Sequence, residues 1–381
     1  MEKPRFSLRA VVLAAMSVAC LAPVASAVAQ DSESKLKLSG FVSVVGGRIS
    51  GTGEDRYEGP SAIDGKACPC YIADWGNAGV YTEDFSFKPE SRAGIQAKYT
   101  LSKEMNVVAQ LVVRGSDSTP RVQWAYASYS PSKNLEFQLG RKRIPLYFYS
   151  DFQDIGASYP WVGVPPELYG WEATNYNGAS VRYKMPLGEA NLSMSLFTGK
   201  ETVSDSLYQR LYYDSKTKVT WSKLIGGDME LTRGPLTVRG VYMQTTVRST
   251  NPVEELDDTA RLKAYGIAAN LDMEKWFVLA EATQLTRDFD AGYRVTAPAI
   301  TIGAGYHFGD WTPFVNYARY TERTDDLDVY APQSFSRASI TLRYDLDARS
   351  AVKAQVDRQK DVTRNFGGDS TIVRLAYDRL F

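Results

Sequence analysis

The feature that most constrains this chain is a repeated alternation of apolar and polar residues, in segments of roughly ten residues separated by turn residues. From position 337 to 344, Ala338, Ile340, Leu342 and Tyr344 alternate with Arg337, Ser339, Thr341 and Arg343. The apolar faces are small and uniform, and many end in an aromatic residue. This pattern predicts strands whose apolar side faces lipid below an aromatic girdle. Composition alone also fits a soluble all-β protein.

The N-terminal residues have the order of an export signal. Lys3, Arg5 and Arg9 precede an apolar stretch over residues 10–22, and small residues at 25–29 offer cleavage sites. The stretch is shorter than the roughly 20 residues of a spanning helix. We therefore predict a cleaved signal peptide over residues 1–29, rather than a short buried helix, and a single domain over residues 30–381. Cys20 is interpreted as an ordinary residue of the apolar stretch.

No later segment is apolar enough for a spanning helix, so a membrane location requires a closed barrel. Short turns alternate with long polar loops at residues 50–85, 144–175, 200–218, 247–260, 322–333 and 361–370. The fold class is therefore predicted as all-β, a transmembrane antiparallel barrel of about 16 strands. The strand pattern begins at Leu36 and reaches the last residue, Phe381. We expect no plug domain, because Leu36 follows the predicted cleavage site by only a few residues. We also expect neither end to be loose, because the last strand of a barrel has to pair with the first.

Four short pieces resemble the Gram-negative general porins. They are KLKLSGFVSV from Lys35, SRAGIQAKY from Ser91, LEFQLGRKR from Leu135, and the terminal Phe381. The resemblance implies a homotrimer of sixteen-stranded barrels in the outer membrane, a third extracellular loop folded inward, and recognition of Phe381 by the barrel-assembly machinery. Two features depart from the family. Arg379 replaces a usual outward apolar residue, and the 144–175 loop lacks the acidic, glycine-rich stretch of enterobacterial porins.

A pore constriction is expected between the third loop and the barrel wall. The loop supplies Asp151, Asp154, Glu167 and Glu172, and strand parity places Arg92, Arg114, Arg141, Arg143 and Arg182 opposite. Gly140 is interpreted as a bulge that turns Arg141 inward. Carboxylates facing guanidiniums would set a transverse field across a narrow aqueous gap. The alternative is that these charges are solvated residues without a special role.

Further charged side chains are predicted to line the lumen. They are Lys98, Lys184, Arg239, Lys263, Glu281, Arg337, Arg343 and Lys353, with Asp228 and Asp357 among the fewer acids. Their basic excess predicts a weak anion preference. Acidic runs in outer loops could bind cations that bridge lipopolysaccharide, although such runs are usually solvated faces.

Cysteine usage leaves several possibilities open. Cys68 and Cys70 lie in the first long loop of an exported chain, where they could form a local disulfide, stay free, or link subunits. A metal site is disfavoured because no His or further Cys lies nearby. No cofactor is expected.

The sequence is compatible with three classes of function. The first is passive diffusion of small hydrophilic solutes through a water-filled pore. The second is a channel selective for an organic anion or sugar, with stacking surfaces from Tyr147, Phe148, Tyr149, Tyr159 and Trp161. The third is a non-conducting barrel enzyme or adhesin; the single His, His307, is expected to be structural, so no catalytic residue is proposed. Equal numbers of basic and acidic residues, 44 each, argue against nucleic-acid binding.

Overall fold

The computed structural model describes residues 35–51, 70–363 and 368–381. The predicted signal peptide and cleavage sites lie outside these residues. Within the described ranges, no helix has the length and apolar character needed to cross a membrane.

Sixteen antiparallel strands form one closed barrel. They are β1 (Leu36–Gly51), β2 (Arg92–Thr100), β3 (Met105–Arg114), β4 (Arg121–Tyr129), β5 (Leu135–Arg143), β6 (Asn175–Leu187), β7 (Ala190–Val203), β8 (Lys218–Arg233), β9 (Leu236–Asn251), β10 (Leu256–Asp272), β11 (Trp276–Phe289), β12 (Arg294–Tyr306), β13 (Trp311–Thr321), β14 (Ser334–Asp347), β15 (Ser350–Asp361) and β16 (Ser370–Leu380). The two-residue strand Arg323–Thr324 continues β13 along β12. Each strand pairs with its chain neighbours, and β1 also pairs with β16, which closes the ring. The predicted strand number is confirmed.

Polar residues face inward and apolar residues outward along most strands. In β15, Lys353, Gln355 and Asp357 are buried, whereas Val352 and Val356 on the opposite face are exposed. A soluble sheet buries the apolar face instead. This inverted pattern is expected of a barrel whose outer surface faces lipid.

The inner wall is apolar in one sector, β8 to β13. Trp221, Leu262 and Leu285 are buried there against loop residues Tyr147 and Trp161. In β10 the parity therefore differs from the prediction for Lys263. Its neighbours Leu262 and Ala264 face inward, and Lys263 is exposed on the outer face with Tyr265. The prediction of Lys263 in the lumen is wrong because this sector of the wall packs against a loop rather than water.

Gly140 is not a bulge. Pairing runs without a shift from Phe137 to Arg141 on the β4 side of β5. Gly140 has φ of 137°, a conformation that favours glycine, and a Cβ there would lie 2.2 Å from the carbonyl oxygen of Ala125. The register shift lies instead in the β3–β4 pair, between Gln110 and Leu111.

Candidate channel constriction

The third loop, residues 144–174, connects β5 to β6. It contains two short 3-10 segments, Ser150–Phe152 and Gly156–Ser158, and the one-turn helix α1 (Pro166–Tyr169). Pro166 suits the first helical position, where its missing N–H is not needed. Most of the loop from Tyr159 to Tyr169 is buried, so it is an ordered element.

Asp154 of the third loop is surrounded by three arginines of the wall. Its Oδ1 accepts a hydrogen bond from Nη2 of Arg114 at 2.6 Å, and its Oδ2 accepts one from Arg143. Its backbone oxygen accepts one from Nε of Arg92 at 2.8 Å, and Arg92 also donates to the Tyr159 hydroxyl. The side chains of Arg114, Arg143 and Asp154 are at most 8% exposed. The loop is thereby fixed to β2, β3 and β5 by charge-assisted bonds.

A second buried chain of charges joins the third loop to β14, β15 and β16. Glu167 bonds to Nε of Arg337 at 3.0 Å, and Arg337 also bonds to Asp357 at 2.8 Å. Asp357 bonds to Arg374 at 2.8 Å, which in turn pairs with Glu90 of the first loop at 2.8 Å. None of these side chains is more than 3% exposed. The five groups alternate in sign, so each charge has an opposite neighbour.

Further wall residues bond to the backbone of the third loop. Lys353 donates to the carbonyl oxygens of Gly156 and Trp161 at 2.6 and 2.7 Å and lies 3.0 Å from Asp378. Arg343 donates to Ala157 at 2.9 Å.

On the opposite wall, Arg239 donates to the carbonyl oxygens of Pro145 and Tyr147 at 2.8 and 2.9 Å. Glu281 accepts from the Phe148 N–H at 3.0 Å and from the Tyr169 hydroxyl at 2.7 Å. The loop is thus bonded to the wall on opposite sides of the barrel.

These contacts show that the predicted transverse electric field across a water-filled gap is wrong. Asp154 and Glu167 are not separated from the arginines by an aqueous gap, because they bond to them directly and are buried. Arg141 pairs with Glu201 of β7 at 2.6 Å rather than with a loop carboxylate. Glu172 accepts a hydrogen bond from Ser206 at 2.9 Å. Much of the predicted set therefore anchors the loop.

A smaller part of the predicted set takes no part in the bonds described above. Arg182 and Asp151 are half-buried, and among the described residues neither makes a hydrogen bond or ion pair. Asp151 interacts electrostatically with Lys142 and Arg143. Lys98 and Lys184 are exposed near the short turns.

Burial also changes the loop's own titratable groups. Desolvation raises the pKa of the Glu172 carboxyl and of the Tyr147, Tyr159 and Tyr169 hydroxyls. The charged form of Glu172 is disfavoured because the surrounding protein solvates it less well than water does.

Glu90, Arg374 and Asp378 also belong to the site, although they were not predicted from the sequence. Strand parity could have found the last two, because Arg374 and Asp378 share the inward face of β16 with Ile372. Glu90 precedes β2 in an irregular segment and carries no periodic signal.

The first loop also enters the site. Its short hairpin pairs Tyr71–Asp74 with Gly79–Tyr81, and the ring of Tyr71 lies 5.4 Å from the guanidinium of Arg374. Trp75 stacks on Phe335 of β14. Cys70 is buried and disulfide-bonded, whereas Cys68, one of the alternatives for its partner, lies outside the described residues. In the part of the chain that the structure describes, no group of three or more His, Cys, Asp or Glu could hold a metal ion.

Comparison with known proteins identifies the family. The family described as Gram-negative porin matches residues 13–378. The chain belongs to the Gram-negative porin family. The porin is thus an integral protein of the outer membrane and forms a channel for passive diffusion. No curated protein matches its sequence significantly.

Solved structures agree on the fold of this porin. An anion-selective porin from Comamonas acidovorans is 15% identical, with a TM-score of 0.55 over 91% of this chain and 99% of that one. OmpF of Salmonella typhi, in complex with daunomycin, is 14% identical, with a TM-score of 0.57 over 91% and 97%. OmpT of Vibrio cholerae, in a trimer form, is 10% identical, with a TM-score of 0.56 over 91% and 99%. At these identities the likeness concerns the fold alone.

Proposed function

We propose that the third loop of this porin lies within the lumen as a fixed constriction, and that the remaining passage admits small polar solutes with a weak preference for anions. The observation that carries the proposal is the set of buried bonds from the loop to opposite sides of the inner wall, from Arg114 on β3 to Glu281 on β11. A loop held at both sides cannot swing freely out of the barrel. It narrows the passage without needing a gating motion.

The anion preference is supported by the charges that remain beside the passage. Around Asp154, one carboxylate pairs with the guanidiniums of Arg114 and Arg143, and Arg92 donates to the backbone oxygen of Asp154 and to the Tyr159 hydroxyl rather than to a carboxylate. Arg182 adds a positive charge on the face that also carries Ser180 of β6. Asp151 offsets part of this excess, so the preference is expected to be small.

Planar-bilayer recordings under a KCl gradient test the proposal. Stepwise openings are expected, with a zero-current potential whose sign indicates that Cl⁻ is more permeant than K⁺. A potential on the cation side would contradict the anion preference. A folded, inserted protein that never conducts would contradict the diffusion channel and favour a non-conducting role.

A homotrimer is part of the same proposal. The outward positions of β2 to β4 include five alanines among larger apolar side chains: Ala93, Ala97, Ala109, Ala125 and Ala127. Small side chains allow the backbones of neighbouring barrels to approach closely. Openings in groups of three in the bilayer recordings would support this assembly. Lipids, lipopolysaccharide and the assembly machinery acting at Phe381 remain proposed partners.

The selective-channel alternative receives less support. Tyr147, Tyr159 and Trp161 pack in the apolar cluster between the loop and the wall instead of facing solute. Catalysis is also disfavoured: His307 lies at the turn after β12, where its Nδ1 is 3.1 Å from the Thr312 hydroxyl and its ring stacks on Phe277. We propose that this porin has no enzymatic activity.

A further inference from the structure

The first loop folds back against the inner wall of the barrel. The pairing of β1 with β2 ends before β1 does, and the N–H of Ile49 donates instead to the carbonyl oxygen of Thr82 in the first loop at 3.0 Å. The hairpin that precedes Thr82, residues 71–81, lies inside the wall, where the Tyr71 ring is 5.4 Å from the guanidinium of Arg374. The free edge of β1 thus holds this first-loop hairpin in the lumen.

Trp75, in the turn of the first-loop hairpin, joins three loops and is only 6% exposed. The centroid of its ring lies 5.7 Å from that of Phe335 at the start of β14. It lies 5.9 Å from the ring centroid of Tyr208 in the fourth loop, residues 204–217 between β7 and β8. Trp75 also covers Gly170 at the end of α1, since a Cβ there would lie 2.6 Å from Cδ1 of Trp75. The first, third and fourth loops therefore meet at one side chain.

An aromatic layer extends from Trp75 in both directions. The ring of Tyr208 is 5.6 Å from that of Tyr212 in the fourth loop, and the ring of Phe335 is 5.2 Å from that of Tyr320 on β13. The space between this layer and α1 measures about 10 Å³, which has room for about one water molecule. Solutes therefore cannot pass between the aromatic layer and the third loop.

A polar cavity of about 500 Å³ opens on the other side of the hairpin turn, where Asn77 lines it. Its remaining wall is formed by the ends of β3 to β5 that face the long loops, by the end of the third loop, and by residues 201–207. Toward the short turns, Asp151 and Arg182 lie within electrostatic reach of Lys142 on β5. Polar groups thus continue along this side of the barrel, whereas Trp75 fills the other side.

We propose that the first-loop hairpin is a second constriction of this porin, which closes one side of the mouth above α1 and confines solutes to the polar cavity. Trp75 sets the size limit, because its ring fills the space between the hairpin, the wall and two further loops. An indole suits this role, since it buries a large area on a rigid frame. The inference rests on the proposed function, because a size limit exists only in a conducting channel.

Trp75→Ala tests this role in planar bilayers, in about 1 M KCl, where charges are screened beyond about 3 Å. Removing the ring opens a second route beside α1, so the single-channel conductance should rise about 1.5-fold or more with the wider cross-section. Polyethylene glycols that fit into a pore lower its current, and the largest one that does so should be larger for the variant. Trp75→Phe keeps a ring against Phe335 and should retain the wild-type values. Unchanged conductance and polymer limit in Trp75→Ala would overturn the proposal.

A bulky side chain in the polar cavity tests the other half of the proposal. Ser204 is exposed and lines this cavity, so Ser204→Trp should lower the conductance. The matched control is Val253→Trp, which places the same side chain in the loop between β9 and β10, at a position 76% exposed and outside the cavity lining. The control should conduct as the wild type does. Equal conductance in the two variants would contradict passage of solutes through the cavity.

Failure of this inference is distinguishable from failure of the proposed function. A wild-type protein that never conducts would overturn both. A noisy current in Trp75→Ala, as expected where α1 loses its anchor, would show that Trp75 acts only by holding the third loop, and would overturn the separate constriction. If Trp75→Ala does not insert, Tyr208→Ala removes the neighbouring ring of the aromatic layer and should also raise the conductance. An unchanged conductance in that variant would equally overturn the proposal.

Discussion

The Nε atom of Arg337 lies 3.0 Å from Oε1 of Glu167, and both side chains are fully buried. This pair joins β14 to the helix α1 of the third loop, and no water separates the two charges. A charge removed from water this completely is costly unless its partner is present. The position of the loop therefore depends on each member of the pair.

Glu167→Ala is expected to destabilise the barrel. Removing one partner of a buried ion pair typically costs about 3–5 kcal/mol, and urea unfolding in lipid vesicles measures the change. The same variant should show noisier single-channel currents, because α1 loses its anchor. The control is Glu189→Ala, which breaks the exposed pair with Arg233, whose side chains are 82% and 70% exposed. That change is expected to cost at most about 1 kcal/mol. Similar losses in both variants would contradict a special role for the buried pair.

Asp154→Asn is expected to make the porin more anion-selective. The substitution keeps the shape of the side chain but removes the one carboxylate between Arg114 and Arg143. The zero-current potential under a KCl gradient should therefore move further to the anion side, and the unfolding free energy should fall by about 1.5–3 kcal/mol. Asp117→Asn, at a half-buried pair with Arg121 outside the third loop, serves as the control. An unchanged potential in Asp154→Asn would show that the cluster does not act on permeating ions.

Two matched variants each remove one positive charge: Arg182→Gln and Lys263→Gln. Arg182 lies on the inward face of β6, so its loss should shift the zero-current potential toward the cation side. Lys263 is exposed on the outer face of β10, so its loss should leave the potential as in the wild type. Equal shifts in the two variants would contradict the register described for β10.

Glu172 is expected to give stability a pH dependence. Its pKa is raised above the ordinary value of 4.5 by desolvation, so between the two pKa values the folded state binds more protons than the unfolded state. Stability then falls as pH rises from about 4.5 through the folded pKa. Glu172→Gln should remove this fall and be more stable than wild type at neutral pH. Urea unfolding between pH 4 and 8 measures both effects; a wild-type curve that rises through this range would contradict the assignment.

Much of the fold was predictable from local pattern. Alternation marks each strand independently, so Lys353 and Arg337 could be placed on the inward face without knowledge of their partners. Lys263 shows where inference from alternation fails. In β10 the inward face is the apolar one, because it packs against the third loop. Leu262 faces inward only because the third loop brings Tyr147 and Trp161 to that wall.

Many residues of the site could be predicted from the sequence, but the contacts between them could not. Asp154, Arg114 and Arg143 were expected near one another and do meet, whereas Glu167 pairs with Arg337, a residue expected elsewhere in the lumen. The predicted water-filled gap between the loop carboxylates and the wall arginines was wrong. The distance between them depends on the path of the third loop, and a loop has no sequence periodicity from which its path can be predicted. Glu90 was missed for the same reason: its partner Arg374 is 284 residues away.

The buried chain of charges crosses the seam at which the barrel closes. Glu90 follows the first strand and Arg374 lies in the last, and Ser43 of β1 bonds to Asp378 of β16 at 2.5 Å. The links from Arg374 and Asp378 to the loops can form only once the C-terminal strand has been synthesised and inserted. Before that moment the third loop lacks part of its support, and an unfinished barrel would leak more than the finished one. Closure of the barrel and full anchoring of the third loop therefore depend on the same C-terminal strand.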